Sequence, residues 1–194
     1  MLSIILPSHR EPEIQKFVEL VERHRPACCE IIVSSDRYGR GKGWAIREAL
    51  TRAKGDAVAF LDGDGDIHPR MLFRLLPFLD DFDAVVGTKR IAHKHFSRRV
   101  ITLLSRLYIR VMFGLNFDTQ TGIKIFKRDY LIWGWKTDGF LFDVEVLYKV
   151  KKASGRIIEV PIEAEITERM SGRALWKTLV ESLTLKFQLL SRAK

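Results

Sequence analysis

Three aspartates, Asp62, Asp64 and Asp66, follow the apolar run 57–61 at two-residue spacing, with only glycines between them. Carboxylates held this close repel one another unless a cation or protons intervene, and the glycines allow the backbone a sharp turn and a close approach to a ligand. Hard oxygen donors of this kind suit Mg²⁺ or Mn²⁺, with substrate phosphates completing the shell. A calcium loop shares the one, three, five spacing, but it needs glycine at its sixth position and glutamate at its twelfth, where this chain has Ile67 and Phe73. An acidic turn closing a strand is the plain alternative.

Other groups join this motif as candidates. Asp36 ends the apolar run 30–33 and its Ser-Ser extension, and Gly39-Arg-Gly-Lys-Gly43 follows at the start of a helical pattern. Backbone N–H groups at such a start can hold phosphate, with Lys42 adding charge, although the spacing is not that of a P-loop. Asp118-Thr-Gln-Thr-Gly-Ile-Lys124 offers hydroxyl, amide and amine groups for a polyol or a phosphate. Asp143 and Glu145 open a further helix, where its dipole alone would favour negative charge. The chain carries a net charge of +9, and no acidic residue lies between Asp83 and Asp118, where Lys89, Arg90, Lys94, Arg98, Arg99, Arg106 and Arg110 all fall. Such a block suits an anionic partner: nucleic acid, a lipid headgroup or a phosphorylated substrate. A solvated basic face explains it as simply.

These residues need a scaffold, and the hydrophobic pattern supplies one. Short buried strands are expected at 4–6, 30–33, 57–61, 84–86, 123–126 and 157–161, and helices at 13–23, 44–53, 69–79, 97–115, 140–153 and 174–192. Alternation of strand and helix predicts an α/β domain with a mostly parallel central sheet and helices on both faces. Ligands of such sheets bind beyond the carboxyl ends of the strands, where Asp36 and Asp62 stand. At 194 residues and 46% hydrophobic composition, one domain is expected, in two halves, 1–90 and 91–173, with a C-terminal amphipathic helix over 174–194. The adjacent Cys28 and Cys29 give no disulfide framework, which favours a reducing compartment. The first residues read as a strand rather than a signal peptide, and no apolar run reaches the ~20 residues that span a bilayer. The helices near Arg106 and Phe187 are amphipathic and basic, suited either to core packing or to a membrane surface.

Taken in order, several pieces resemble the family 2 glycosyltransferases of the GT-A type, and among them the polyprenyl-phosphate transferases that make dolichyl-phosphate mannose and glucose. They are Ile5-Leu-Pro-Ser8 with Glu11, Glu30-Ile-Ile-Val33 with Asp36, Gly41-Lys-Gly43, Leu61-Asp-Gly-Asp64 with His68-Pro69, Val86-Gly-Thr-Lys-Arg90, Asp118-Thr-Gln-Thr-Gly122, Phe142-Asp-Val-Glu145, Glu159-Val-Pro-Ile162 and Arg169. The resemblance implies that Pro7, Glu11 and Asp36 line a nucleotide pocket with Lys42 beside it, and that Asp62 and Asp64 hold the ribose and a Mg²⁺ or Mn²⁺ ion on the diphosphate. Gln120, Asp143, Glu145 and Arg169 would face sugar and acceptor. Expected partners are a UDP- or GDP-hexose and a polyprenyl phosphate, at the cytoplasmic face of a membrane, reached directly or through a membrane-anchored partner. A lipid phosphate is already anionic and needs cations to position it, for which Lys89, Arg90, Arg98 and Arg99 are candidates. A sugar hydroxyl would need a base, with Asp143 the first choice.

The chain departs from the family pattern in places. His9-Arg10 replaces Tyr-Asn, Ser35 replaces the first of two acids, the 36–41 segment is short by a strand and a helix, and Arg173-Ala174-Leu175 stands where Ser-Lys is common. Rival readings are a sugar nucleotidyltransferase, which lacks support because Pro7-Ser-His-Arg-Glu11 has no glycines, a nucleic-acid binder, which leaves the carboxylates unexplained, and a transferase that binds donor without turnover. No nucleic-acid partner is expected.

Overall fold

A computed structural model describes residues 1–8, 13–36, 38–89, 96–164 and 172–190. Six strands form one sheet: β1 (Leu2–Ser8), β2 (Cys29–Ser35), β3 (Ala57–Leu61), β4 (Ala84–Lys89), β5 (Ile123–Lys127) and β6 (Ile157–Ile162), in the order β2-β1-β3-β5-β4-β6. β1 runs parallel to β2 and β3, and β4 parallel to β6, whereas β5 is antiparallel to both β3 and β4. The expected mostly parallel α/β sheet is therefore present, with one reversed strand at its centre. That reversal brings the loop before β5 to the edge where β1, β2, β3 and β4 end.

Alternate residues of the strands feed two separate cores, as a sheet covered on both faces requires. Ile5, Phe60, Val86 and Phe126 pack on one side with α2 (Lys42–Leu50), α4 (Phe96–Phe113), α5 (Phe142–Lys152) and α6 (Gly172–Leu190). Ile4, Leu6, Leu61 and Ile125 pack on the other with α1 (Ile14–His24) and α3 (Arg70–Leu75). The helix expected over 69–79 is shorter than its pattern: α3 gives way to a 3-10 turn at Leu76–Asp80, because Pro77 has no N–H to continue an α-helical ladder. The segment expected as a helix from Trp44 begins earlier, at Lys42, behind Gly41 at φ 119°. Lys42 thus stands on the first turn of α2.

Phe60 is the aromatic pivot of the first core, with ring centroids of Phe126, Phe142 and Trp135 at 5.4, 5.8 and 6.3 Å. Because Phe142 opens α5 and Trp135 donates its indole N–H to the Gly43 carbonyl at 2.9 Å, this cluster sets α2 and α5 against the end of β3. Phe60→Ala is expected to cost about 3–5 kcal/mol of unfolding free energy, read from urea denaturation; a loss under ~1 kcal/mol would show that the cluster does not hold these helices.

Candidate functional site

Four charged side chains meet at the carboxyl edge of the sheet. Lys42 Nζ, from α2, lies 2.6 Å from Asp62 Oδ1 and 3.9 Å from Asp143 Oδ2. Asp143 Oδ1 in turn lies 3.0 Å from Lys124 Nζ, which comes from the second residue of β5. Charges therefore alternate along the group: Lys124, Asp143, Lys42, Asp62. Lys42 also lies over the Phe142 ring, 5.6 Å from its centroid.

Close backbone approach makes this possible. A Cβ on Gly122 would come within 2.3 Å of Asp62 Oδ2, and the Asp62 N–H donates to the Gly122 carbonyl at 2.9 Å. On the other side, a Cβ on Gly43 would fall 2.3 Å from the Thr137 carbonyl, and one on Gly41 would collide with the Asp138 carbonyl. These glycines let the 118–122 loop and the start of α2 close on the strand end from both sides.

Burial tunes the charges. It pulls the Lys42 ammonium downward, but Asp62 and Asp143 outweigh it and leave the pKa raised. Burial pushes the Asp143 carboxyl up, against the opposing pull of Lys124 and Lys42. Asp64 is also raised, first by burial and then by Asp62 and Asp66, although its Oδ1 accepts the Asp66 N–H at 3.0 Å and Lys89 lies near enough to oppose the shift. Among the described residues, Asp62 Oδ1 and Thr121 Oγ1 are buried and the geometry aligns no hydrogen bond on them, and the Lys42 ammonium forms its close ion pair with Asp62 at that oxygen. A carboxylate oxygen of that kind, beside a second carboxylate whose charge is disfavoured, suits a divalent cation. Among the described residues no three His, Cys, Asp or Glu side chains cluster as a complete ligand set, so phosphate or water oxygens would have to supply the rest.

The remaining expected residues fall in three groups. Pro7, the last residue but one of β1, has its carbonyl 3.4 Å from where a Cβ on Gly63 would sit, beside the aspartate turn. Asp36 is buried and accepts the Arg40 and Gly41 N–H groups at 2.8 and 2.6 Å, which draws residues 40–41 back onto the end of β2; Arg40 then stacks over Trp44, 4.9 Å from its centroid. Gln120 is exposed on the 118–122 loop, and Lys89 ends β4. Glu11, Arg90 and Arg169 lie outside the described residues, and Arg98 and Arg99 lie on α4 with side chains outside them.

Glu145 is not brought to this group. Its Oε2 accepts the Lys136 and Thr137 N–H groups, both at 3.0 Å, and the Thr137 hydroxyl at 2.7 Å, while Oε1 meets Lys149 at 2.7 Å. It anchors the 136–138 loop on which Gly41 and Gly43 rest. Arg106 is similarly engaged, donating to Asp118 at 2.9 Å and to Thr88 at 3.3 Å, so part of the basic block stitches α4 to the sheet. Lys124 was legible only as an amine in a polar loop; the signal for it is a lone lysine between Ile123 and Ile125 in a strand otherwise apolar to Phe126, where a buried cation must have partners.

The comparisons with known proteins fit this geometry. The profile of Glycosyl transferase family 2 matches residues 13–133. The undecaprenyl-phosphate mannosyltransferase of Micrococcus luteus is 31% identical over 157 residues, covering 74% of this chain and 63% of its own length. The human dolichyl-phosphate beta-glucosyltransferase is 24% identical, covering 96% of this chain and 74% of its own. Glucosyl-3-phosphoglycerate synthase from Mycobacterium tuberculosis superposes with a TM-score of 0.79 at 18% identity over 96% of this chain and 79% of that one, and shares its fold. The chain belongs to glycosyl transferase family 2, and its architecture is the GT-A fold. It spans less than two thirds of the length of the Micrococcus relative.

Glu145→Gln should cost about 3 kcal/mol, because it removes one partner of a buried pair and turns an amide donor toward backbone donors. Burial pushes the Glu145 carboxyl up, but Lys149 and Thr137 outweigh it and hold it below its ordinary value of 4.5. Its stabilisation is therefore complete above that value and is lost as pH falls through the lower folded one. Urea midpoints of wild type and variant should differ at pH 7 and converge as the pH falls through the lowered folded-state value; a constant gap would refute the assignment.

Proposed function

We propose that this chain moves a hexose, with inversion, from a UDP- or GDP-sugar to a polyprenyl phosphate, assisted by Mg²⁺ or Mn²⁺. The observation that carries the reading is the alternating charge group at the strand ends. Asp62 and Asp64 would hold the metal, which supplies positive charge to the departing diphosphate. The Micrococcus and human relatives are named for lipid-phosphate acceptors, and the Mycobacterium neighbour has been crystallised with Mn²⁺ and UDP.

The residues then divide the work. Lys42, on the first turn of α2, lies beside Asp62 and offers an ammonium to the charge that grows on the diphosphate. Pro7 and the loop tied by Asp36 would border the donor, a role the resemblance also gives to Glu11. Gln120 would face the sugar and the acceptor, a role the resemblance also gives to Arg169. The acceptor phosphate is an anion and attacks the sugar carbon from the face opposite the diphosphate, so it needs orienting cations, Lys89, Arg90, Arg98 and Arg99, more than a base. Asp143 then serves as the counter-charge of Lys42 and Lys124. With a sugar hydroxyl as acceptor, the same carboxylate would take the proton.

A second observation favours a lipid acceptor. α4 and α6 run parallel: Tyr108 meets Ser182 at 2.6 Å, and Lys186 bonds the Met112 carbonyl at the same residue offset. Both helices turn apolar residues outward over the same span, Leu104, Leu107 and Val111 on one, Leu183 and Phe187 on the other, with Val111 74% and Phe187 79% exposed. Arg110 is exposed beside them, and α4 carries no acidic residue. An apolar stripe with basic flanks suits the surface of an anionic bilayer on the cytoplasmic side, where nucleotide sugars are found. Among the described residues no helix is long and apolar enough to cross a membrane.

Incubation with UDP-glucose, GDP-mannose and related donors, Mn²⁺ and a short polyprenyl phosphate should release nucleoside diphosphate, and Asp64→Ala should lower that release at least ~100-fold without shifting the unfolding midpoint. Turnover with a sugar acceptor and none with polyprenyl phosphate would reject the acceptor. In flotation with vesicles containing anionic lipid, Val111→Glu with Phe187→Glu should reduce binding at least about tenfold; unchanged binding would remove that face from the reading.

A further inference from the structure

Lys124 is 1% exposed in the middle of the sheet, opposite Phe60 on β3 and Val86 on β4. An ammonium has three protons to give, and burial makes each unsatisfied one costly. All three have acceptors here: the Thr121 carbonyl at 2.5 Å, the Thr119 carbonyl at 3.3 Å and Asp143 Oδ1 at 3.0 Å. One buried cation therefore ties the 118–122 loop, which carries Gln120 and closes on Asp62 through Gly122, to the first turn of α5.

Asp143 has two cations within reach among the described residues, Lys124 at 3.0 Å and Lys42 at 3.9 Å. Lys42 has two carboxylates, Asp62 at 2.6 Å and Asp143. These distances describe a competition. While Lys124 neutralises Asp143, Lys42 stays on the Asp62 side of the group, where a diphosphate would lie. Without Lys124, the buried carboxylate retains a single cation, and the attraction between them draws Lys42 across.

We propose that Lys124 is a positioning residue for transfer: it occupies Asp143 and so keeps the Lys42 ammonium at Asp62, on the donor side of the site. The inference rests on the transferase reading above and names a residue which that reading leaves without a role. The Lys124 ammonium is engaged by Thr121, Thr119 and Asp143, which leaves it no proton for donor or acceptor. Its effect passes wholly through Asp143, and this separates it from a side chain that merely fills the sheet.

The experiment measures binding of UDP and GDP in the presence of Mg²⁺ by calorimetry, with urea unfolding alongside, for wild type, Lys124→Met, Asp143→Asn and the double variant. Lys124→Met should weaken binding of the preferred nucleotide ~10-fold, the order seen when a residue that orients a binding group is lost. The double variant should recover to within about twofold of Asp143→Asn, because removing both members of a buried pair is tolerated where removing one is not. A general packing role would instead give losses that add. Should Lys124→Met fail to fold, the comparison of Asp143→Asn with the double variant decides alone: equal affinity supports action through Asp143, and a further loss overturns it. Wild type that binds neither nucleotide overturns the transferase reading together with this one, whereas wild-type binding unaltered in Lys124→Met overturns the role of Lys124 only.

Discussion

Alternation of charge along Lys124, Asp143, Lys42 and Asp62 is the constraint around which the carboxyl edge of this sheet is built. None of the inner members would be tolerated alone at such burial, since an isolated charge in a protein interior costs several kcal/mol. Each is acceptable because its neighbour has the opposite sign. The order matters too, because the chain of charges begins in the centre of the sheet and ends at Asp62, on the edge where a ligand is reachable.

Backbone geometry serves that alternation. Gly122 lets the loop before β5 press against the Asp62 carboxylate, and Gly41 and Gly43 let α2 start against the 136–138 loop. Glu145 fixes that loop by spending its carboxylate on Thr137, Lys136 and Lys149. Asp36 does the same for the 39–41 turn. Two acids thus hold backbone while two others stay near Lys42, a division of labour set by which backbone N–H groups lie within reach of each side chain. The reversed strand β5 is what allows all of these pieces to share one edge: its amino-terminal loop, rather than its end, arrives beside the ends of β1, β3 and β4.

The strands and the aspartates that follow β3 were legible in the sequence because each depends on local pattern: an apolar run, then carboxylates separated by glycine. Their meeting with Lys42 was foreseeable only in outline, through the rule that ligands gather beyond parallel strand ends. Lys124 was hidden for a physical reason. Its partners, two carbonyls and Asp143, come from a preceding loop and from a helix 19 residues on, so its apolar neighbours Ile123 and Ile125 mark it as a buried cation without telling which groups it meets. Glu145 reads like Asp143 in sequence, two residues away on the same turn, yet the helical twist points them at different neighbours. Pro77 cut α3 short although the apolar spacing runs on past it.

The most direct measurement is a crystal structure with Mn²⁺ and the preferred nucleoside diphosphate, using anomalous scattering to locate the metal. The account predicts a manganese peak between Asp62 and Asp64, the Lys42 ammonium on the diphosphate, and the Lys124 to Asp143 contact unchanged. A manganese peak away from these aspartates, or Lys42 turned onto Asp143 with the nucleotide in place, would contradict it.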